Sequence, residues 1–404
     1  MPESETDGCK AIPRTQVQAD AVEAVRKLPS VFGVTDAKSP RIAIFLFSLA
    51  GGGAERIMLQ LASALARRGL VVDLLLVRKE GPYLDQVPPG IRIIDLAAGR
   101  TLTSFGPLYR YIRQARPVAL LSALTAVNLV AIITAKLVFG NTRVIVSEHS
   151  QVNAELEHTS RLMARLAFRL MPLVYPFAHG IVAVSRGVAK VVAHYARVSP
   201  ERVTVIYNGV VSPNLHTLAD KSVDHPWLAT DQPPVILSAG RMVPQKDFTT
   251  LIKAFALLRK SRRAYLIILG EGNDRPALER LAEDLGVRRE VDFPGFVANP
   301  YAMMARAKVF VLSSAWEGLP TVLIEAMACG TPVVATDCPS GPAEILEDGR
   351  FGPLVPVGDA PALAAAVIET MDQPLDPELL RARANDFSVE RAVETYLSIL
   401  LSNP

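Results

Sequence analysis

From Arg41 onward, apolar runs of strand length alternate with amphipathic segments of helix length, and the pattern occurs twice. A short run that is apolar throughout suits a strand buried on both faces, which requires helices on either side of a parallel sheet. In the first half the spacing predicts strands at 42–47, 71–77, 91–95, 119–122, 143–147, 180–184 and 203–206. After the turn-rich stretch 224–234 it predicts strands at 235–239, 265–269, 291–293, 309–312 and 332–336. The reading is α/β: two doubly wound, Rossmann-like domains, 41–212 and 233–387. A last helix, 388–402, folds back on the first domain, and residues 1–40 read as a disordered tail.

With 404 residues, half of them hydrophobic and 21% charged, the chain can build two cores. Its formal net charge of +3 is too small to point to nucleic acid, so no nucleic-acid partner is expected. The charge is uneven, however. Residues 41–230 carry 21 basic and 11 acidic side chains, whereas 231–404 carry 17 and 23. Cys9, Cys329 and Cys338 are odd in number and lack a C-x-x-C spacing, which excludes a disulfide framework and a structural zinc site and fits a reducing cytoplasm. The start, MPESETDGCK, is acidic where a signal peptide is basic. Pro117 to Ala135 runs 19 residues without a charge, close to the roughly 20 that span a bilayer. It contains Pro117, Ser122, Asn128 and Thr134 and divides into a strand and a helix, so no span is expected.

Open parallel sheets bind ligands beyond the carboxyl ends of their strands, so the residues just after each strand are the ones to read for chemistry. Gly51, Gly52 and Gly53 follow the first strand and open a helix, where free amides can meet an anion, although glycines also serve plain turns. A dinucleotide fingerprint is excluded because Arg56 stands where its last glycine would be. Arg241 and Lys246 follow the first strand of the second half. Alone they would read as solvated surface charges, but two cations on one strand-to-helix loop can turn toward a diphosphate. No Walker sequence occurs. After the strand 309–312 come Glu317, Gly318, Leu319, Pro320 and Thr321, then Glu325 inside an otherwise apolar helix. A carboxylate buried there needs a partner. The two glutamates are about 12 Å apart or less along the segment, which suits two ends of one ligand better than the flanks of one glycosidic bond.

Gly51–Glu55, Val184-Ser185, Tyr207–Val210, Gly240-Arg241 with Lys246, Gly270-Glu271-Gly272 and the Glu317-x7-Glu325 pair together resemble the retaining glycosyltransferases of family 4, over residues 41–400. The resemblance implies the GT-B fold, in which two Rossmann-like domains face each other across a cleft, the first binding the acceptor and the second a nucleotide-diphosphate sugar. It implies that Arg241 and Lys246 neutralise the leaving diphosphate, Glu325 holds the ribose and Glu317 the donor-sugar hydroxyls. Gly270, Glu271, Phe296 and Val297 would frame the base, Gly318 to Thr321 would line the donor site, and Gly52 and Gly53 would face the phosphates. His149, in Ser147-Glu148-His149-Ser150, matches the position of a histidine beside the transferring sugar. Alone it would read as structural. Without a D-x-D sequence or a His/Asp cluster, no metal and no cofactor are expected to carry the diphosphate.

Arg161, Arg165 and Arg169 recur every four residues and share one helical face, beside Leu162, Leu166, Leu170 and Leu173. This reads either as an ordinary amphipathic helix or as a membrane-surface helix, and the basic first half supports the second reading. The combined expectation is transfer of a hexosyl or N-acetylhexosaminyl unit from a UDP-sugar to a lipid-linked saccharide, such as a polyprenyl-diphosphate-linked one. The expected setting is polysaccharide or glycan assembly, peripheral on the cytoplasmic face of the membrane. A nucleotide-sugar 2-epimerase and a non-catalytic nucleotide-sugar-binding subunit are the alternatives.

Overall fold

The computed structural model describes residues 39–138, 140–152, 156 and 162–402. Arg161, Cys9 and nearly all of the expected N-terminal tail therefore lie outside the described residues. The first sheet holds β1 (Arg41–Leu46), β2 (Val71–Leu76), β3 (Arg92–Asp95), β4 (Ala119–Ala123), β5 (Arg143–Glu148), β6 (Gly180–Ala183) and β7 (Val203–Val205). All its pairings are parallel, in the order β3-β2-β1-β4-β5-β6-β7. The second holds β8 (Val235–Ala239), β9 (Tyr265–Leu269), β10 (Val291–Gly295), β11 (Val309–Leu312), β12 (Val333–Thr336) and β13 (Leu354–Val355), also parallel, in the order β10-β9-β8-β11-β12-β13. The two Rossmann-like halves are present as the alternation predicts. Strand β13 has only two residues, too few to leave a periodic signal.

The uncharged stretch from Pro117 divides between β4, buried throughout, and the helix Thr125–Leu137. Among the described residues no helix is long and apolar enough to cross a membrane. A buried acid inside β2, Asp73, accepts bonds from Arg41 at 2.8 Å, Arg92 at 2.6 Å and Tyr111 at 2.6 Å, which tie the starts of β1 and β3 to the helix Phe105–Ala115.

The chain crosses between the halves twice, side by side. The amides of Val210 and Val211 donate to Phe387 O at 2.8 and 3.1 Å, and Val389 N donates to Val211 O at 3.0 Å. The helix Pro213–Ala219 lies against the second half, where Asn299 Nδ2 donates to Leu218 O at 2.8 Å. The last helix, Val389–Leu400, packs on the helix Gly53–Arg67 and on β5, and Arg68 meets Glu394 at 2.6 Å.

A third tie spans the two halves. Glu344, in the helix Pro342–Leu346, accepts from the amides of Arg186 at 2.8 Å and Gly187 at 2.9 Å and from the Tyr207 hydroxyl at 3.1 Å. Those amides open the helix Arg186–Ala196, so a carboxylate from one half caps a helix of the other. Glu344→Ala should cost about 2 kcal/mol, the combined worth of a helix cap and a charge-assisted bond. It should lower Tm and raise the radius of gyration in small-angle scattering, and an unchanged Tm would refute the tie.

Candidate active site

Between the two sheets lies a cleft of about 1050 Å³. Its walls are the segments that follow the strands on either side of each topological switch point, the place where neighbouring connections leave in opposite directions. In the first half these are Gly51–Gly53 after β1, Leu124 after β4 and His149 after β5. In the second they are Gly240–Lys246 after β8, Gly270 and Glu271 after β9, and Trp316–Val322 after β11. Two of these loops are stitched together: Ala315 N donates to Gln245 O at 2.8 Å, Gln245 Nε2 to Trp316 O at 3.0 Å, and Ser313 Oγ to Lys246 O at 2.8 Å. Gly270 has φ +120°, and a Cβ there would stand 2.1 Å from Gly240 O, so only glycine lets the loops after β8 and β9 meet.

Each glutamate of the spaced pair has a cation. Lys246 Nζ lies 2.5 Å from Glu317 Oε1, which also accepts from Ser314 Oγ at 2.7 Å. Glu325, 1% exposed in the helix Thr321–Ala328, is ion-paired to Arg56 of the first half and accepts from the Tyr301 hydroxyl at 3.3 Å. A buried carboxylate without such a partner would be strongly destabilising. The guanidinium in turn is held firmly in its charged form by Glu325. Burial pushes the thiols of Cys329 and Cys338 up to about 12, with Glu325 and Glu317 respectively adding to the shift. Neither thiol is a nucleophile at neutral pH.

His149 sits at a close approach of the two halves. A Cβ on Gly318 would stand 2.1 Å from His149 O, so glycine at 318 lets the second half approach the end of β5. The imidazole is placed by a relay: Nε2 lies 3.0 Å from Ser147 Oγ, which lies 3.3 Å from the Tyr396 hydroxyl of the last helix. Nδ1 is buried without a hydrogen-bond partner among the described residues. Beneath it, buried Glu148 accepts from Asn128 Nδ2 at 2.9 Å, Thr125 Oγ1 at 3.0 Å and the Tyr175 hydroxyl, which anchors the end of β5.

The cleft therefore gathers His149, Arg241, Lys246, Gly52, Gly53, Gly270, Glu271, Phe296, Val297, Glu317, Gly318, Leu319, Pro320 and Thr321. Phe296 is 76% exposed at its rim. Glu325 stands behind Thr321 rather than in the wall. Arg165 and Arg169 are exposed and do not line the cleft, although Phe168 of the same helix, Leu162–Val174, does. Arg56, Tyr301 and Tyr396 were not marked by the motifs. Arg56 had served only to exclude a dinucleotide fingerprint, and the two tyrosines lie on helices without a motif of their own.

Two Rossmann-like domains facing across one such cleft define the GT-B class. The family model described as Glycosyltransferase Family 4 matches residues 51–212, and that described as Glycosyl transferases group 1 matches residues 221–387. The N-acetylgalactosamine-N,N'-diacetylbacillosaminyl-diphospho-undecaprenol 4-alpha-N-acetylgalactosaminyltransferase of Campylobacter jejuni is 29% identical over 78% of this chain and 86% of its own length. The lipopolysaccharide core biosynthesis glycosyltransferase LpsE of Rhizobium meliloti is 39% identical over 42% of this chain and 51% of its own. Among solved structures, Anabaena HepE in complex with UDP-glucose superposes with a TM-score of 0.76 at 22% identity, covering 90% of this chain and all of that one. The chain belongs to the family 4 glycosyltransferases.

Burial lowers the His149 imidazole from 6.5 to about 4, so the ring is neutral in the folded protein down to about pH 4. Between these values the unfolded chain binds a proton that the native state does not, so this contribution is complete above about pH 6.5 and is lost as pH falls toward 4. His149→Phe should flatten the fall in Tm over that window, and the wild-type ring should show neutral imidazole shifts by NMR at pH 5.5. A ring that titrates near 6.5 would contradict the burial.

Proposed function

We propose that this glycosyltransferase moves a hexosyl unit, with retention of anomeric configuration, from a UDP-linked donor to a lipid-linked saccharide. The observation that carries the reading is the cleft lined by Arg241, Lys246 and the partnered carboxylate of Glu317, with the Arg56–Glu325 pair behind Thr321. As the bond from the anomeric carbon to the phosphate breaks, negative charge grows on the departing diphosphate, and fixed cations stabilise that charge more than they do the intact donor. Lys246 holds Glu317 against the sugar hydroxyls, and Glu325 takes the ribose. The exposed ring of Phe296, with Val297, Gly270 and Glu271, supports a base at that rim. Gly52 and Gly53 bring the amide-rich start of a helix to the phosphates. The lowered pKa and unpartnered Nδ1 of His149 support a contact of its neutral ring with the donor sugar. The second half (residues 233–387) is then the donor domain and the first (41–212) the acceptor domain.

A lipid-linked acceptor is supported by the Campylobacter relative, whose name specifies a diphospho-undecaprenol substrate, and by the surface of the first half. There the helix Thr125–Leu137 packs against the helix Leu162–Val174 and the turn Tyr175–Phe177. Leu173 (68%) and Phe177 (55%) are exposed, with Leu137 and Leu166, beside Lys136, Arg165 and Arg169. Apolar side chains among basic ones suit peripheral binding at the cytoplasmic face of an anionic membrane.

A panel of nucleotide sugars assayed by nucleoside-diphosphate release, with and without lipid extract, should show one UDP-sugar turned over only with lipid. Conversion of the donor without acceptor would instead indicate epimerisation. Arg241→Ala should lower kcat/KM by roughly 100-fold, about 3 kcal/mol of transition-state stabilisation. Near wild-type turnover would remove Arg241 from the diphosphate. In liposome flotation, Arg161→Ala, Arg165→Ala and Arg169→Ala combined should release the protein from anionic vesicles, and undiminished binding would sink the membrane reading.

A further inference from the structure

Arg56 lies in the first turn of the helix Gly53–Arg67, after Ala54 and Glu55, and lines the cleft with Gly51, Gly52 and Gly53. Its ion pair with Glu325 joins residues of opposite halves, so the two groups meet only when the halves are together. Both of its bonds, to Glu325 Oε1 and to Thr321 Oγ1 at 3.4 Å, leave from one nitrogen, Nη2. The remaining N–H groups of the fork are uncommitted among the described residues. Tyr301 also bonds Glu325 through Oε1, so Oε2 is left as an acceptor. One oxygen of the carboxylate thus holds the arginine, and the other has no hydrogen-bond donor among the described residues.

We infer that Arg56 is a third cation for the donor's diphosphate, supplied by the first domain and held in position by Glu325. The inference rests on the proposed assignment of Glu325 to the ribose. With a donor bound, Oε2 takes a ribose hydroxyl while Oε1 keeps the guanidinium beside the phosphates. The free N–H groups on Nε and Nη1 then donate to phosphate oxygens while Nη2 stays on Glu325, a division of donors that the single nitrogen of a lysine does not match. Arg241 and Lys246 approach from the second domain and Arg56 from the first, so the diphosphate is clamped from both walls. The arrangement also separates two tasks. Glu325 reads the nucleoside through hydroxyls, and Arg56 reads whether phosphates follow it.

Isothermal titration calorimetry tests this with UDP, GDP, ADP and dTDP and with the nucleoside of whichever binds wild type most tightly. Arg56→Ala should weaken the nucleoside diphosphate at least tenfold and leave the nucleoside within about twofold. Arg56→Lys should recover only part of the loss. Melting curves of the Ala and Lys variants set the folded fraction, and the ratio of the two affinities is insensitive to it. Equal weakening of nucleoside and nucleoside diphosphate in Arg56→Ala would overturn the inference, because the arginine would then act only as a prop for Glu325. An unchanged ratio with no weakening would overturn it as well. Glu325→Gln separates the two readings: if it leaves nucleoside affinity unchanged, the ribose assignment fails, while the Arg56 ratio still decides the diphosphate contact. A wild-type protein that binds none of the four would defeat both.

Discussion

Two carboxylates of this protein are almost wholly buried, and each has a cation and a hydroxyl against it. Glu317 relies on Lys246 and Ser314, and Glu325 relies on Arg56 and Tyr301. Burial charges a large desolvation cost to any unpaired ion, so each pair must form together with the packing around it. The loops after β8 and β11 are bound together by one backbone bond and two side-chain-to-backbone bonds that hold Lys246 beside Glu317. The second pair does for the two halves what the first does for two loops. In a polar cleft of this kind, electrostatic order precedes the ligand, which leaves little reorganisation to be done during the reaction.

That order is available because the sheets are parallel and doubly wound. Connections diverge at the switch points, which opens a crevice at the carboxyl ends of β1 and β4 in one sheet and of β8 and β11 in the other. Both crevices face the same cleft. Glycines at 270 and 318 then remove the side chains that would hold the loops, or the halves, apart. The charge pairs stand on geometry set by backbone close approach.

Much of this was legible in the chain. Apolar runs mark twelve of the strands, clearest where burial on both faces leaves no alternation and weaker in the partly exposed β3, β7 and β10, and only the two-residue β13 escapes. The Glu317 and Glu325 spacing and the Arg241 and Lys246 loop are local in sequence, so they can be recognised there. Arg56 is different. Its partner is 269 residues away, and an arginine in the first turn of a helix carries no sign of what it will meet. The same holds for Glu344, whose partners Arg186, Gly187 and Tyr207 belong to the other half, and for Tyr396. Contacts that depend on how two domains face each other leave no periodicity behind, and short motifs do not encode them. The helix Pro213–Ala219, which lies between the expected domains 41–212 and 233–387, packs on the second half.

The final helix belongs to the second half by chain order and to the first by packing, and its Tyr396 reaches Ser147, the neighbour of the His149 ring. Exchange of second halves between related enzymes therefore has a natural cut on each side of the second sheet, near Val211 and near Phe387. A graft made with only the first cut would import a foreign tyrosine helix beneath the recipient's own histidine. The unit that can be swapped is an insert rather than a C-terminal half, and the protein is topologically one first domain interrupted by a guest.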